Sequence, residues 1–147
     1  MVFYCGGAVG YQSRKLKIQP QSSAEGETAV YAVAAKDLMF IINALGSGGL
    51  QAPVQLPVAI NTDNEAAVST IKKPGATART RHYERWVLYG REQFLKRISY
   101  PTWVATKHQV ADIFTKALDK TSFLKFRDAL LNNPNSSLSY LISSLFQ

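Results

Sequence analysis

The sequence predicts a mixed α/β domain, and three patterns point that way. Short runs near the start alternate apolar and small residues around paired glycines. A long stretch from Ser22 repeats apolar residues at three- and four-residue spacing. A short apolar run, Val58 to Thr62, passes directly into helix-start residues. At 147 residues and 16.2 kDa the chain has the length of one domain with one sizeable core.

Taken in order, Val2, Tyr4 and Ala8 to Tyr11 flank Gly6 and Gly7, which supply the positive φ that tight hairpin turns need. Leu16 and Ile18, set between Lys15 and Lys17, predict a third strand with one wet face, and Pro20 limits its length. Ser22 or Ser23 caps a long helix in which Val30, Val33, Ala34, Leu38, Ile41 and Leu45 form the apolar face, with Gly46 as its end. A Gly- and Pro-rich loop from Gly46 to Pro57 leads to a buried strand at Val58 to Thr62. Thr62 and Glu65 have capping-box spacing, which places Asp63 and Asn64 where the strand turns into a helix running toward Lys72, closed by Pro74 and Gly75.

His82 to Arg97 reads as a basic, aromatic helix. Ile98 to Val104 reads as a strand that Pro101 assigns to a sheet edge. Helical segments are expected over Val110 to Leu118 and Ser122 to Leu131, followed by a polar break, Asn132 to Ser137, and an apolar tail, Leu138 to Phe146.

Seventeen Lys and Arg against ten Asp and Glu give +7 and a pI near 9.6, a balance that suits polyanionic partners such as nucleic acid. A single cysteine, Cys5, excludes an internal disulfide and a cysteine-rich zinc module, and fits a reducing compartment. No uninterrupted apolar run approaches the roughly 18–20 residues of a membrane span, and Met1 to Tyr11 lacks the charged start of a secretory signal. The expectation is a soluble intracellular protein, cytoplasmic or nuclear.

Three acidic residues fall at element junctions: Glu27 near the start of the long helix, Asp63 at a strand's carboxyl end and Asp112 at the start of a late helix. Carboxylates brought together there repel, and Mg²⁺ relieves the repulsion through oxygen ligation. Acids near helix amino termini ordinarily answer the dipole or cap it, and the pattern alone favours that simpler role. The stretch Lys72 to Arg97 carries Lys72, Lys73, Arg79, Arg81, Arg85, Arg91, Lys96 and Arg97 against Glu84 and Glu92, with Trp86, Tyr89 and Phe94 interleaved. Arg79, Arg81, Arg85 and Arg91 are the candidate phosphate contacts, with a solvated helix face as the alternative; Trp86 and Phe94 are assigned to the core.

Four ordered blocks carry a family likeness: Ser22-Ser23-Ala24-Glu25-Gly26-Glu27, Asn61-Thr62-Asp63-Asn64-Glu65-Ala66-Ala67, Arg79-Thr80-Arg81-His82, and Ala105-Thr106-Lys107-His108-Gln109-Val110-Ala111-Asp112-Ile113-Phe114-Thr115-Lys116-Ala117-Leu118. Together they resemble the ribonuclease H region of Ty1/copia-type retrotransposon Pol polyproteins, over residues 1–132, with 133–147 an unassigned tail. The resemblance implies a ribonuclease H-like mixed sheet with flanking helices. It also implies hydrolysis of the RNA strand of an RNA/DNA hybrid by four carboxylates and two Mg²⁺ ions, and reverse transcriptase as a neighbour in a larger polyprotein.

By that likeness Glu27, Asp63 and Asp112 match three of the four metal-binding carboxylates, with Glu25 the rival for the helix glutamate. The family carries its fourth carboxylate, an aspartate, on a central first strand between the hairpin and the next strand. No Asp or Glu precedes Glu25 here. The expectation is therefore an amino-terminally truncated, catalytically crippled domain, or a nucleic-acid-binding remnant that never cleaves; a purely structural fragment is the third class. Ribonuclease H enzymes often place a product-release histidine in the loop before the last carboxylate; His108 lies four residues before Asp112, a shorter spacing than in the cellular enzymes, and an exposed loop residue is the preferred reading. His82 is assigned a structural place at a helix start, and Glu84 stands where the family pattern has aspartate.

Overall fold

The computed structural model describes residues 2–4, 7–10, 13, 19–47, 54–74, 81–131 and 133. Their elements are β1 (Val2–Tyr4), β2 (Gly7–Gly10), α1 (Ser23–Ser47), β3 (Val58–Thr62), α2 (Glu65–Lys72), α3 (Glu84–Leu95), β4 (Ser99–Trp103) and α4 (Lys120–Leu130). Short 3-10 helices lie at Arg81–Tyr83, Thr106–His108 and Val110–Phe114. The architecture is mixed α/β. Contacts divide the chain into two units, Met1–Lys15 with Ala105–Gln147, and Leu16–Val104, where the length alone suggested one core.

In the first unit β1 and β2 form the expected antiparallel hairpin, with Phe3 opposite Ala8 and Tyr4 opposite Gly7. Phe126 and Ala129 of α4 are buried against Val110, Ile113 and Leu118. Asp119 caps α4, its carboxylate accepting from the Thr121 and Ser122 amides at 3.0 and 3.1 Å. Hydrogen bonds from Ser122 hold that carboxyl below its usual range. α4 begins at Lys120, two residues ahead of the expected Ser122. The helix expected over Val110 to Leu118 is instead a 3-10 turn ending at Phe114, where the Thr115 and Lys116 amides both bond the Asp112 carbonyl. β-Branched Val110, Ile113 and Thr115 disfavour a regular α-helix there. The third strand expected at Leu16 to Ile18 and the tail from Leu138 to Phe146 lie outside the described residues.

The second unit is built around α1. Its packed face is Thr28, Ala29, Tyr31, Ala32, Ala35 and Leu38, a correction to the expected stripe, of which Leu38 is buried, Val33, Ala34, Ile41 and Leu45 are half-buried and Val30 is 44% exposed. Small side chains admit α2 and α3 closely, and the buried Thr28 hydroxyl is satisfied by the Ala24 carbonyl at 2.7 Å. Apolar spacing alone points away from a face made of threonine and alanine. The helix also runs to Ser47, past Gly46, where an added Cβ meets open space.

A second correction concerns hydropathy. Ser23–Gly46 is long and apolar enough, at mean hydropathy 1.5, to cross a membrane by length and composition. Lys36 and Asp37 break any continuous apolar run, which hides a stretch that is apolar on average.

β3 and β4 pair in parallel, with Val58 opposite Ser99, Ile60 opposite Pro101 and Thr62 opposite Trp103. Among the described residues the strands form two separate two-stranded sheets, β1-β2 and β3-β4. Tyr31, Ala35 and Ile71 make the buried cluster, joined by Ile60, Tyr89 and Phe94. The Tyr31 hydroxyl and Ser99 hydroxyl are 2.9 Å apart in the interior, and burial pushes the phenol's pKa up to about 12. A Cβ on Gly90 would stand 3.0 Å from the Tyr31 ring and 3.2 Å from Ile71, so glycine lets α3 approach.

The cap of α2 is Asn64, whose side chain accepts from the Ala67 amide at 3.1 Å. Thr62, expected in that role by its spacing to Glu65, sits at the strand end instead, and its hydroxyl accepts from the Asn64 amide at 3.2 Å. α3 begins at Glu84 after a 3-10 turn and ends in a Schellman pattern, with the Arg97 amide on the Phe94 carbonyl and the Ile98 amide on the Gln93 carbonyl. Arg97 therefore holds φ 53, a left-handed setting that usually takes glycine.

Arg97→Gly is expected to raise thermal stability, by up to about 1 kcal/mol, because glycine adopts that φ without Cβ strain. Tyr31→Phe is expected to lower stability by about 1–3 kcal/mol, because it leaves the buried Ser99 hydroxyl without its partner. The unaltered chain should also lose stability between pH 10 and pH 12, since unfolding releases the Tyr31 phenol to ionise at its ordinary pKa. Chemical denaturation across that range should show this component missing from Tyr31→Phe; an identical alkaline profile in both proteins would contradict the assignment.

Candidate functional site

Glu27 lies one turn into α1, and its carboxylate accepts a 2.8 Å hydrogen bond from the Thr62 hydroxyl at the carboxyl end of β3. Asp63 follows Thr62 directly, and Asn64 then starts α2 while its side-chain amide donates to the Ser23 hydroxyl at 3.2 Å. The fold thus brings the glutamate of α1 to the strand end that carries Asp63. The local reasons are a strand that stops at a threonine and a helix whose cap reaches back to the start of α1.

Glu25 faces elsewhere. Its side chain is 7% exposed, and Oε2 accepts from the Gln21 amide at 2.8 Å and lies 2.9 Å from His82 Nε2. Residues two apart on a helix point about 200° away from each other, so Glu25 joins α1 to the 3-10 turn before α3 while Glu27 addresses β3. His82 accordingly stands at a helix start with a structural partner.

Asp112 belongs to the other unit, inside the 3-10 turn Val110–Phe114, where its carboxylate is nearly buried and pairs with Lys116 at 2.8 Å. His108 is half-buried, and its Nδ1 has no hydrogen-bond partner among the described residues. Desolvation, then Lys125 and Lys107, push its pKa down and favour the neutral ring. Among the described residues no group of three or more His, Cys, Asp or Glu side chains is placed to hold a metal ion.

The four arginines divide. Arg91 donates to the Thr70 carbonyl at 2.9 Å and the Ile71 carbonyl at 3.4 Å, which satisfies acceptors in the last turn of α2. Arg81 and Arg85 are exposed, and the Arg85 guanidinium lies 5.4 Å from the Trp86 ring centroid. Arg79 lies outside the described residues. Sequence reading missed Lys36, whose ammonium stands 5.4 Å from the Trp86 centroid and 5.0 Å from that of Tyr89. The available signal was its place as the sole basic residue of α1. Trp86, expected in the core, is half-exposed beside these cations, whereas Phe94 packs on the buried cluster.

No protein-family model matches the chain, and no solved structure matches it.

Two substitutions separate the arginine roles. Arg91→Gln should cost about 1–3 kcal/mol in chemical denaturation, because it removes charged donors from the end of α2. Arg85→Gln should stay within about 0.5 kcal/mol. Equal losses would show that both side chains serve the fold.

Proposed function

We propose that this chain is a ribonuclease H-type domain of the Ty1/copia retrotransposon kind, directed at RNA/DNA hybrids, and that these 147 residues alone do not cleave. The observation that carries the reading is the hydrogen bond between Glu27 and Thr62, which puts the helix glutamate of the resemblance at the strand end bearing its aspartate. The strand pattern supports it. The resemblance implies a central first strand between the hairpin and the fourth strand, and the described strands include an antiparallel hairpin, β1-β2, and the strand β3 that ends before Asp63.

In this reading Glu27, Asp63 and Asp112 would hold Mg²⁺, with an aspartate from a further strand as the fourth ligand. Bound Mg²⁺ lowers the pKa of an attacking water and stabilises a leaving oxygen. The chain's own contribution is to hold Glu27 through Thr62 and to present the exposed Arg81 to the phosphate backbone. The basic balance and single cysteine fit a cytoplasmic or nuclear protein beside reverse transcriptase in a larger polyprotein. A second reading, a nucleic-acid-binding remnant without catalysis, rests on the net charge of +7 and on the exposed Arg81 and Arg85.

Incubated with Mg²⁺ and an RNA/DNA hybrid, the chain should show no cleavage above background. Grafting a family-like first strand with its aspartate ahead of Met1 should confer Mg²⁺-dependent cleavage, and a further Asp63→Asn should abolish it, since an amide cannot replace carboxylate charge at the metal. Cleavage by the ungrafted chain that survives Asp63→Asn would refute the site. A grafted, folded chain that binds hybrid and metal yet never cuts would establish the remnant reading.

A further inference from the structure

Lys36, Arg85, Trp86 and Tyr89 come together on α1 and α3 at a place the carboxylates do not use. The Lys36 ammonium lies over two rings, 5.4 Å from the Trp86 centroid and 5.0 Å from that of Tyr89, and the Arg85 guanidinium lies 5.4 Å from the same Trp86 centroid. Both cations lie by one indole and so stand within about 11 Å of each other, close enough to meet neighbouring phosphates of one strand. Lys36 and Arg85 are exposed, and neither has a carboxylate in salt-bridge range among the described residues. By contrast, Lys96 is paired with Glu92, and Lys116 with Asp112.

The direction of this patch matters. Nine residues separate Glu27 from Lys36, about two and a half helical turns, so the two side chains leave opposite sides of α1. A strand held at Lys36 is therefore not the strand presented to Glu27.

We propose that Lys36, Arg85, Trp86 and Tyr89 form a separate contact for single-stranded nucleic acid, in which Lys36 and Arg85 neutralise neighbouring phosphates and the Trp86 and Tyr89 rings take a base. The chemistry matches that of strand-tracking surfaces, where cations fix the backbone and aromatic faces accept any base. A duplex keeps its bases stacked inward and gives such rings nothing to stack on. An acidic peptide would use the cations and leave the rings idle. The site stands independently of metal binding by Glu27, Asp63 and Asp112.

The test uses the full chain carrying Trp103→Phe, so that Trp86 is the sole tryptophan emitter. Titration with an oligothymidylate of about twelve residues, within the usual range of single-strand site sizes, is expected to quench Trp86, whereas inorganic polyphosphate of equal charge binds more weakly and quenches little. Lys36→Gln and Arg85→Gln should each reduce the slope of log affinity against log salt by about 0.7. Trp86→Leu should weaken binding about fivefold to 150-fold, the range for losing one stacked base. Anisotropy of a labelled oligonucleotide on the chain with both tryptophans gives the same affinity without altering Trp103, and circular dichroism shows whether each variant is folded. Equal binding and quenching by polyphosphate, or undiminished oligonucleotide binding by folded Trp86→Leu, overturns the proposal.

Discussion

The hydrogen bond between the buried hydroxyls of Tyr31 and Ser99 ties α1 to the start of β4, 68 positions further along the chain. The Tyr31 ring is wedged where glycine at position 90 leaves room, against Ile71 of α2, and its hydroxyl reaches the first residue of β4. One side chain thus touches all three helices' packing and the parallel sheet. Glu27 lies four residues earlier on α1, one turn away on the same face, so fixing Tyr31 also aims Glu27 at the end of β3.

Thr62 has two duties that follow from that aim. Its hydroxyl accepts from the Asn64 amide, which shapes the turn into α2, and donates to Glu27. The geometry of the turn and the position of the carboxylate are therefore one arrangement, and a change in either is felt in the other. Glu25 draws α1 in another direction, toward His82, so the first turns of the helix are held from two sides.

The elements with strong local rules were legible in the sequence. The hairpin declared itself through its glycines, the strand from Val58 to Thr62 through its apolar run, and the edge character of β4 through Pro101. What local rules could not give were choices decided by partners distant in the chain. The buried face of α1 is written in threonine and alanine because α2 and α3 must come close, and apolar spacing has no means of showing that. Thr62 has cap spacing, yet Glu27, 35 positions away, engages its hydroxyl and Asn64 caps the helix. Of the candidate carboxylates, the structure brings Glu27 to the strand end that carries Asp63, and Asp112 lies in the other unit. Lys36 was invisible because the rings it covers lie some 50 positions further on, in another helix.

Pro101 has a consequence for how this sheet meets other chains. The Val58 amide bonds the Ile98 carbonyl and the Val104 amide bonds the Thr62 carbonyl. Alternation in a parallel ladder then turns the main-chain groups of Ser99, Pro101 and Trp103 away from β3. The missing N–H of proline falls on the outer rim of β4, in the middle of the strand, where a newcomer would need a donor. Growth beyond β4 is interrupted at its centre, so recruitment of any further strand is biased to the β3 side, and stacking of successive copies into an open-ended fibre through β4 is blunted by a single ring.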